Sequence, residues 1–178
     1  MAGKIGSPRG RKPVETRSIR LTVNGQYHEL EVGGRPDQVD PAHTLAHTLR
    51  ETLGLTGTKV SCENGACGCC TVLMEGEAVL SCMTLTVESD GKHITTIEGL
   101  RNHKTGEMDP IQQAFIDHTA FQCGFCTPGM IMSAKALLQG NPSPTEEEVK
   151  EALSGNFCRC ISHYQVVKAV LAASEKGR

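Results

Sequence analysis

The sequence predicts an α+β chain built as two units, a sheet-forming half followed by a helical half. Three observations carry that reading. Residues 18–32 alternate apolar and polar side chains about an Asn24-Gly25 pair, the pattern of two strands joined by a tight turn. From residue 109 onward the apolar positions recur at three and four instead, the period of a helix. Between them, residues 101–108 are polar, contain Gly106 and show no period, which marks a linker. The expected boundaries are a tail at 1–17, a first domain at 18–100, a linker at 101–108 and a second domain at 109–178.

In the first unit, residues 18–23 and 26–32 form the hairpin, and Asn24-Gly25 suits a type I′ turn because both central residues need positive φ. Residues 33–41 read as loop. From Thr44 onward, Leu45, Leu49, Leu53 and Leu55 fall near helical spacing, with Gly54 as a stop. Short strands follow at 71–74, 78–81 and 94–97, with turns at Glu75-Gly76 and Asp90-Gly91. Hairpin, helix and returning strands suit a β-grasp domain, although other α+β folds share the pattern. His43 and His47 stand four apart on the expected helix. No third ligand is evident nearby, so they read as solvent-facing histidines.

The chemistry of this half lies between Thr58 and Cys70. Cys62, Cys67 and Cys70 have the spacing C-x4-C-x2-C with a distant fourth thiol, which is the plant-type [2Fe–2S] ferredoxin arrangement. Gly65 and Gly68 can take positive φ and turn backbone N–H groups toward the sulfurs, offsetting the negative charge of a cluster. Cys69 lies outside the spacing and reads as a small packing residue or a free thiol.

In the second unit, four short amphipathic helices predict a four-helix bundle. Ile111, Ala114, Phe115 and His118 line the first face; Met130, Ala134, Leu137 and Leu138 line the next, ended by Gly140 and Pro142. Thr145 with Glu148 is a capping box leading into Val149, Ala152 and Leu153. Val166, Val167, Val170 and Leu171 line the last. Cys123-x2-Cys126 and Cys158-x-Cys160 fall at helix boundaries. Thr127-Pro128 reads as an N-cap followed by Pro at N1, so a helix opens right after Cys126 and points its N-terminal dipole at the thiols. Four thiolates here suit a second iron–sulfur cluster or a tetrahedral Zn²⁺, though C-x-C is less typical of a zinc knuckle. Arg159, between two of them, reads as exposed.

Of 178 residues, 38% are hydrophobic, with no Trp, four Phe and two Tyr. That fills modest cores, and small domains of this kind lean on bound metal. The net charge of -2 argues against a nucleic-acid footprint. No apolar run approaches the roughly 20 residues needed to span a bilayer. The nine cysteines are an odd number, and the first residues lack an apolar signal-peptide core. Reduced metal-ligating thiols in the cytoplasm are therefore expected, not disulfides. The basic stretch with Gly and Pro at 1–17 reads as a flexible tail.

Four segments together resemble a known family. They are Gly57-Thr58-Lys59, Cys62-x4-Cys67-Gly68-x-Cys70-Thr71-Val72, Gln122-Cys123-Gly124-Phe125-Cys126-Thr127-Pro128-Gly129-Met130 and Gly155-Asn156-Phe157-Cys158-Arg159-Cys160. The chain resembles the iron–sulfur subunit of the molybdenum hydroxylases, the family of xanthine dehydrogenase, aldehyde oxidase and carbon monoxide dehydrogenase. The likeness runs from about residue 18 to the C-terminus. It implies a plant-ferredoxin-like cluster held by Cys62, Cys67, Cys70 and Cys82 nearer a flavin. It implies a second [2Fe–2S] cluster held by Cys123, Cys126, Cys158 and Cys160 nearer molybdenum. It also implies that Gln122 and Cys160 approach the pterin of a molybdopterin-type cofactor. That cofactor would sit on a large partner subunit and FAD on a medium one, in a heterotrimer or a dimer of heterotrimers.

The implied work is single-electron relay within an oxidoreductase complex, with no catalytic residue expected in this chain. Two positions depart from the family pattern. Cys69 stands where the family usually has Ala, and Ile161-Ser162-His163-Tyr164 follows Cys160 where the family commonly reads Thr-Gly-Tyr. Two other readings predict different behaviour. A stand-alone iron–sulfur sensor, with Cys69 as its reactive thiol, would purify without a molybdenum-containing partner. A cysteine-rich zinc protein would be colourless.

Overall fold

Asn24 and Gly25 take φ of 52° and 78°, so the first turn is the type I′ that the dipeptide favours. This places Val23 opposite Gln26 and sets the antiparallel register of β1 (Arg17–Val23) and β2 (Gln26–Val32). The computed structural model describes residues 15–102 and 104–176. Most of the expected tail, residues 1–14, lies outside the described residues, and β1 begins one residue before the expected start. A second I′-like turn, Glu75 (φ 53°) and Gly76 (φ 88°), joins β3 (Thr71–Met74) to β4 (Glu77–Leu80). The last strand, β5 (His93–Thr95), runs parallel to β1 and antiparallel to β3. The mixed sheet therefore has the order β2-β1-β5-β3-β4.

β5 is shorter and earlier than the expected strand at 94–97. The Asn24 side chain donates to Thr96 Oγ1 (2.9 Å) and accepts from the Thr96 amide (2.8 Å). That claims Thr96 before the ladder can continue, and Ile97–Leu100 winds into a 3₁₀ turn.

Alternation in β1 buries Ile19, Leu21 and Val23, which pack with Val72, Ile94, Leu45 and Leu49 in one apolar cluster. Each such side chain, fully buried, stabilises by about 1.5–3 kcal/mol. The expected single helix is two short pieces. A turn of α-helix, α1 (Leu45–His47), is capped by Thr44 Oγ1, which accepts from the His47 amide (3.3 Å). The chain then widens into a π-turn at Thr48–Thr52. Arg50 Nη1 donates to the carbonyls of Thr56 (3.1 Å) and Thr58 (2.7 Å). These bonds draw the chain round toward the cysteine loop. His43 precedes the cap and is not on the helix; its ring lies 3.9 Å, centre to centre, from that of His47.

The helical half contains α2 (Pro110–Asp117), α3 (Thr127–Gly140), α4 (Glu146–Ala152) and α5 (His163–Lys176). Phe115, Met130, Ile131, Val149, Leu153, Val166 and Val170 share one core. Asp109 caps α2, and its other carboxylate oxygen pairs with Lys135 on α3 at 2.5 Å. The Thr145–Glu148 capping box forms as expected. The start of α3 differs: Cys126, not Thr127, is the N-cap, because the Met130 amide already donates to the Cys126 carbonyl (3.1 Å). Thr127 and Pro128 are thus the first two helical residues. Among the described residues no helix is long and apolar enough to cross a membrane.

The two halves meet through α3, which packs on β3 and β4. A Cβ on Gly129, in the first turn of α3, would overlap the Gly68 carbonyl and lie 2.9 Å from Cys69 Cα. Only a glycine lets the helix start this close to the cysteine loop.

Candidate metal centres

The first candidate cage is set by a hairpin and a looped backbone. Thr71 opposes Leu80 across β3 and β4, so Cys70 and Cys82 lie just beyond the same end of the hairpin. Ser81 locks that end by donating its hydroxyl to the Cys70 carbonyl (2.6 Å). A one-residue slip of the Glu75-Gly76 turn would turn Cys82 to the other face. Cys70 and Cys82 are buried, at 2% and 7% exposure, and their thiols interact. Burial first, together with the neighbouring Cys82 thiol, pushes Cys70 up to about 11 against the opposing pull of the Cys82 amide.

Cys62 and Cys67 sit on the outer arm. Glu63, Gly65 and Gly68 have φ of 54°, 78° and 70°, which curls successive N–H groups inward. The Asn64 amide, the Cys67 side chain and the amides of Cys67 and Ala66 act on the Cys62 sulfur and bring it down to about 7 against a smaller cost of burial. The loop thus presents donors where negative charge must be held. This is the role expected of Gly65; Gly68 instead uses its carbonyl, which accepts from Thr71 Oγ1 (2.8 Å) and Asn156 Nδ2 (3.1 Å).

The second cage closes between the loop before α3 and the loop before α5. Cys160 Sγ lies 3.7 Å from Cys123 Sγ, and Cys126 and Cys158 interact as a second pair. Burial raises Cys126 to about 12, reinforced by Cys158. Burial also opposes ionisation of Cys158. The Ile161 amide, the Cys126 thiol and the Cys160 amide and thiol together outweigh it, the two amides donating to Cys158 Sγ at 3.2 and 3.3 Å, and its pKa is lowered. The C-x-C spacing is what brings these two amides onto the first sulfur.

All nine thiols are free. Side-chain contacts link Cys62 with Cys67, Cys70 with Cys82, Cys123 with Cys160 and Cys126 with Cys158, and also Cys67 with Cys69 and Cys158 with Cys160. Among the described residues no group of three His, Cys, Asp or Glu side chains is gathered for a single ion. Four thiols per half fit a [2Fe–2S] cluster, which takes two thiolates on each of two irons.

The ninth, Cys69, is buried at 5% exposure between the cages. Burial pushes its thiol up to about 12, with Cys67 beside it adding to the effect. It lines a cavity of about 400 Å³ together with Cys67, Cys123, Cys126, Cys158 and Cys160. Gln122, Cys123, Arg159 and Cys160 are exposed. His43 and His47 line a separate cavity of about 340 Å³ with Arg50 and Cys82.

Sequence reasoning missed Asn156, which is 3% exposed and donates from its side chain to the Gly68 carbonyl (3.1 Å). Next to it, the Phe157 amide donates to the Cys67 carbonyl (3.0 Å). No local pattern marks a contact between residues so distant in the chain. The sequence offered Asn156 only as part of the resembling segment Gly155-Asn156-Phe157-Cys158-Arg159-Cys160, with no contact assigned to it.

A ferredoxin-like sheet and a helical unit, each presenting four spaced thiols, define a two-cluster iron–sulfur electron carrier. Residues 22–95 match the family model for a 2Fe-2S iron-sulfur cluster binding domain, and residues 96–171 match that for a [2Fe-2S] binding domain. The chain is 53% identical to the nicotine 6-hydroxylase small subunit of Paenarthrobacter nicotinovorans over 90% of this chain and 92% of that one. It is 42% identical to the nicotinate dehydrogenase small FeS subunit of Eubacterium barkeri over 89% and 96%. Quinoline 2-oxidoreductase from Pseudomonas putida 86 superposes with a TM-score of 0.82 at 41% identity, covering 92% of this chain and 96% of the matched one. The chain belongs to the family of small iron–sulfur subunits of the molybdenum hydroxylases. Its work is electron transfer within an oxidoreductase complex.

Proposed function

We propose that this chain passes single electrons between a molybdopterin-binding large subunit and an FAD-binding medium subunit. The assignment holds Cys62, Cys67, Cys70 and Cys82 as ligands of one cluster and Cys123, Cys126, Cys158 and Cys160 as ligands of the other. The observation that carries it is the gathering of eight thiols on two loop systems, four in the sheet half and four beside the helices, each within a separate 2Fe-2S family match. A [2Fe–2S] cluster takes up or gives one electron without making a bond, at a potential set by charge, burial and hydrogen bonds to sulfur. The chain's own part is to supply those terms: the amides on Cys62 and Cys158 hold negative charge, and buried Cys70 and Cys82 keep water away.

In this reading the sheet half, 18–100, is a β-grasp domain and the helical half, 109–178, a four-helix bundle, joined through 101–108. The exposed side of the second cage faces the large subunit. Gln122 and Cys160 reach toward its pterin, and Phe125, Phe157 and Tyr164, 45–63% exposed, supply apolar contact around them. The complex is a heterotrimer or a dimer of heterotrimers. Nine free thiols suit a cytoplasmic setting. The three relatives above are named for nicotine, nicotinate and quinoline, all N-heterocycles, which supports a large subunit acting on such a ring.

Metal analysis and EPR of the purified complex test the assignment. Iron and sulfide for two clusters per chain and two distinct paramagnetic signals on full reduction are expected. One signal with stoichiometric zinc would overturn it.

A further inference from the structure

The chain contains two Asn-Gly pairs, Asn24-Gly25 in the first hairpin and Asn64-Gly65 in the cysteine loop. Both glycines take a φ of 78°. In such a pair the asparagine side chain is open to attack by the next backbone nitrogen, because glycine has no Cβ to hold the two apart. The two pairs sit in opposite settings.

Asn24 is half-buried and held at both ends of its amide. Its Nδ2 donates to Thr96 Oγ1 (2.9 Å), and its Oδ1 accepts from the Thr96 amide (2.8 Å). Gly99 walls it in, since a Cβ there would overlap Asn24 Oδ1 and lie 2.5 Å from its Cγ. To reach the Gly25 nitrogen, Asn24 must first break both bonds. Asn64 is exposed. Among the described residues its side chain is tied by one bond, Oδ1 accepting from the Ala66 amide (3.3 Å). That Asx turn folds the side-chain carbonyl back over the intervening Gly65 peptide, which is the approach that ring closure needs.

We propose that Asn64 is a site of spontaneous covalent modification, a deamidation in which the Gly65 backbone nitrogen displaces its side-chain amide. The Gly65 nitrogen attacks Asn64 Cγ. The new N–Cγ bond forms, the Cγ–Nδ2 bond breaks, and ammonia leaves carrying the Gly65 amide proton. Water then opens the five-membered imide. Cleaving the new bond leaves aspartate at position 64. Cleaving the original peptide bond leaves isoaspartate, with the main chain routed through Cβ. Nothing is oxidised or reduced, and water is the only other reactant.

The change lands where the loop has little room to absorb it. The Asn64 amide bonds the Cys62 sulfur. Gly65 packs beneath Met83 and Leu80, whose side chains a Cβ there would meet at 3.0 and 3.5 Å. Isoaspartate lengthens the main chain between Cys62 and Cys67 by one atom and drives Gly65 out of this fit. Aspartate keeps the path but sets a negative charge beside Cys62. With Cys62 and Cys67 as cluster ligands, the reading on which this consequence rests, that charge favours the oxidised cluster. It lowers the potential of the sheet-half centre and leaves the other alone.

Peptide mapping by mass spectrometry, on the purified complex aged at mildly alkaline pH, tests the site. The Asn64 peptide should gain one mass unit, with part of the product labelled by an isoaspartate-specific methyltransferase. The Asn24 peptide should change roughly 10-fold or more slowly, the scale set by two net hydrogen bonds that must open first. Redox titration followed by EPR should show the plant-type signal of the aged complex moving to lower potential, with the second signal unmoved. Asn64→Gln, whose larger ring closes far more slowly, should show neither the mass gain nor the shift. An Asn64 that stays intact on ageing, or an Asn24 that reacts as fast, overturns the proposal. A mass gain at Asn64 with both potentials unmoved upholds the modification and overturns instead the assignment of Cys62 and Cys67 as ligands.

Discussion

Around each cage, the side chain that looks most chemical is managed by backbone that looks least so. Cys62 and Cys158 are each the sulfur onto which amides converge, and both have lowered pKa values for that reason. In the same cages Cys70 and Cys126 are raised by burial, so each cage combines a sulfur set up for charge with one shielded from water. Replacing Cys126 or Cys158 with Ala should halve the iron, remove the helical-half cluster and stop turnover with the natural acceptor. The plant-type signal of the sheet half should remain, as EPR with metal analysis will show. Gly68→Ala meets two obstacles, a φ of 70° and contact with Asn156 and Gly155. It should destabilise the chain by about 1–3 kcal/mol, read as a lower midpoint in thermal denaturation of the assembled protein.

Short elements in this chain are secured at their ends. α4 is seven residues long and carries Glu146, Glu147 and Glu148 in its first turn, with Lys150 bridging back to Glu146 and Glu147 at 2.8 Å each. Thr145→Ala removes the cap and should lower stability by about 1 kcal/mol, measured by denaturant unfolding. The Thr145 amide, then its hydroxyl, hold the Glu148 carboxyl below its ordinary 4.5. A depressed carboxylate stabilises fully above its unfolded value and loses that contribution as pH falls through the folded one. Acidification below about 4.5 should therefore remove the hydroxyl–carboxylate part of the Thr145→Ala effect and leave the lost bond from the Glu148 amide, so the gap narrows at low pH without closing.

This capping box was legible in the sequence because it depends on residues three apart. So were the turn at Asn24-Gly25, expected as type I′, and the one at Glu75-Gly76, expected as a turn without a type, since both dipeptides reach positive φ locally. The break of the Leu45–Leu55 pattern into an α-turn and a π-turn was not legible. Its cause is Arg50 reaching carbonyls beyond the helix end, a contact that no periodicity encodes. The N-cap of α3 moved from Thr127 to Cys126 for a related reason: the helix begins where packing against Gly68 and Cys69 allows.

At the scale of the whole molecule, the seam between halves is what makes two small domains one conductor. α3 lies on β3 and β4, Gly129 sits against the cysteine loop, and the Asn156 side chain crosses from the segment ahead of Cys158 to that same loop. Removing both clusters with a chelator should lower the melting temperature of the chain and broaden the transition, because ligand binding to the folded state adds to its stability. The exposed apolar rim of the second cage carries a separate expectation. Tyr164, 62% exposed with Lys168 Nζ 4.3 Å from its ring centre, can be changed to Asp without touching a thiol. Tyr164→Asp should weaken assembly with the large subunit roughly tenfold or more, as loss of an aromatic anchor does. Both EPR signals should persist, and size-exclusion chromatography with EPR separates the two effects.

By itself the sequence determined the α+β class, the Asn24-Gly25 turn, the Thr145–Glu148 capping box and which thiols carry the spacing of iron ligands. Each of these follows from residues within about one turn or one hairpin of one another, where covalent geometry and local hydrogen bonding dominate. Only the tertiary structure decided which thiols meet, where Cys69 falls and how the two ligand loops join. Those depend on sheet register, on a helix start resting against a carbonyl, and on a hydrogen bond between residues that meet only after both halves have packed.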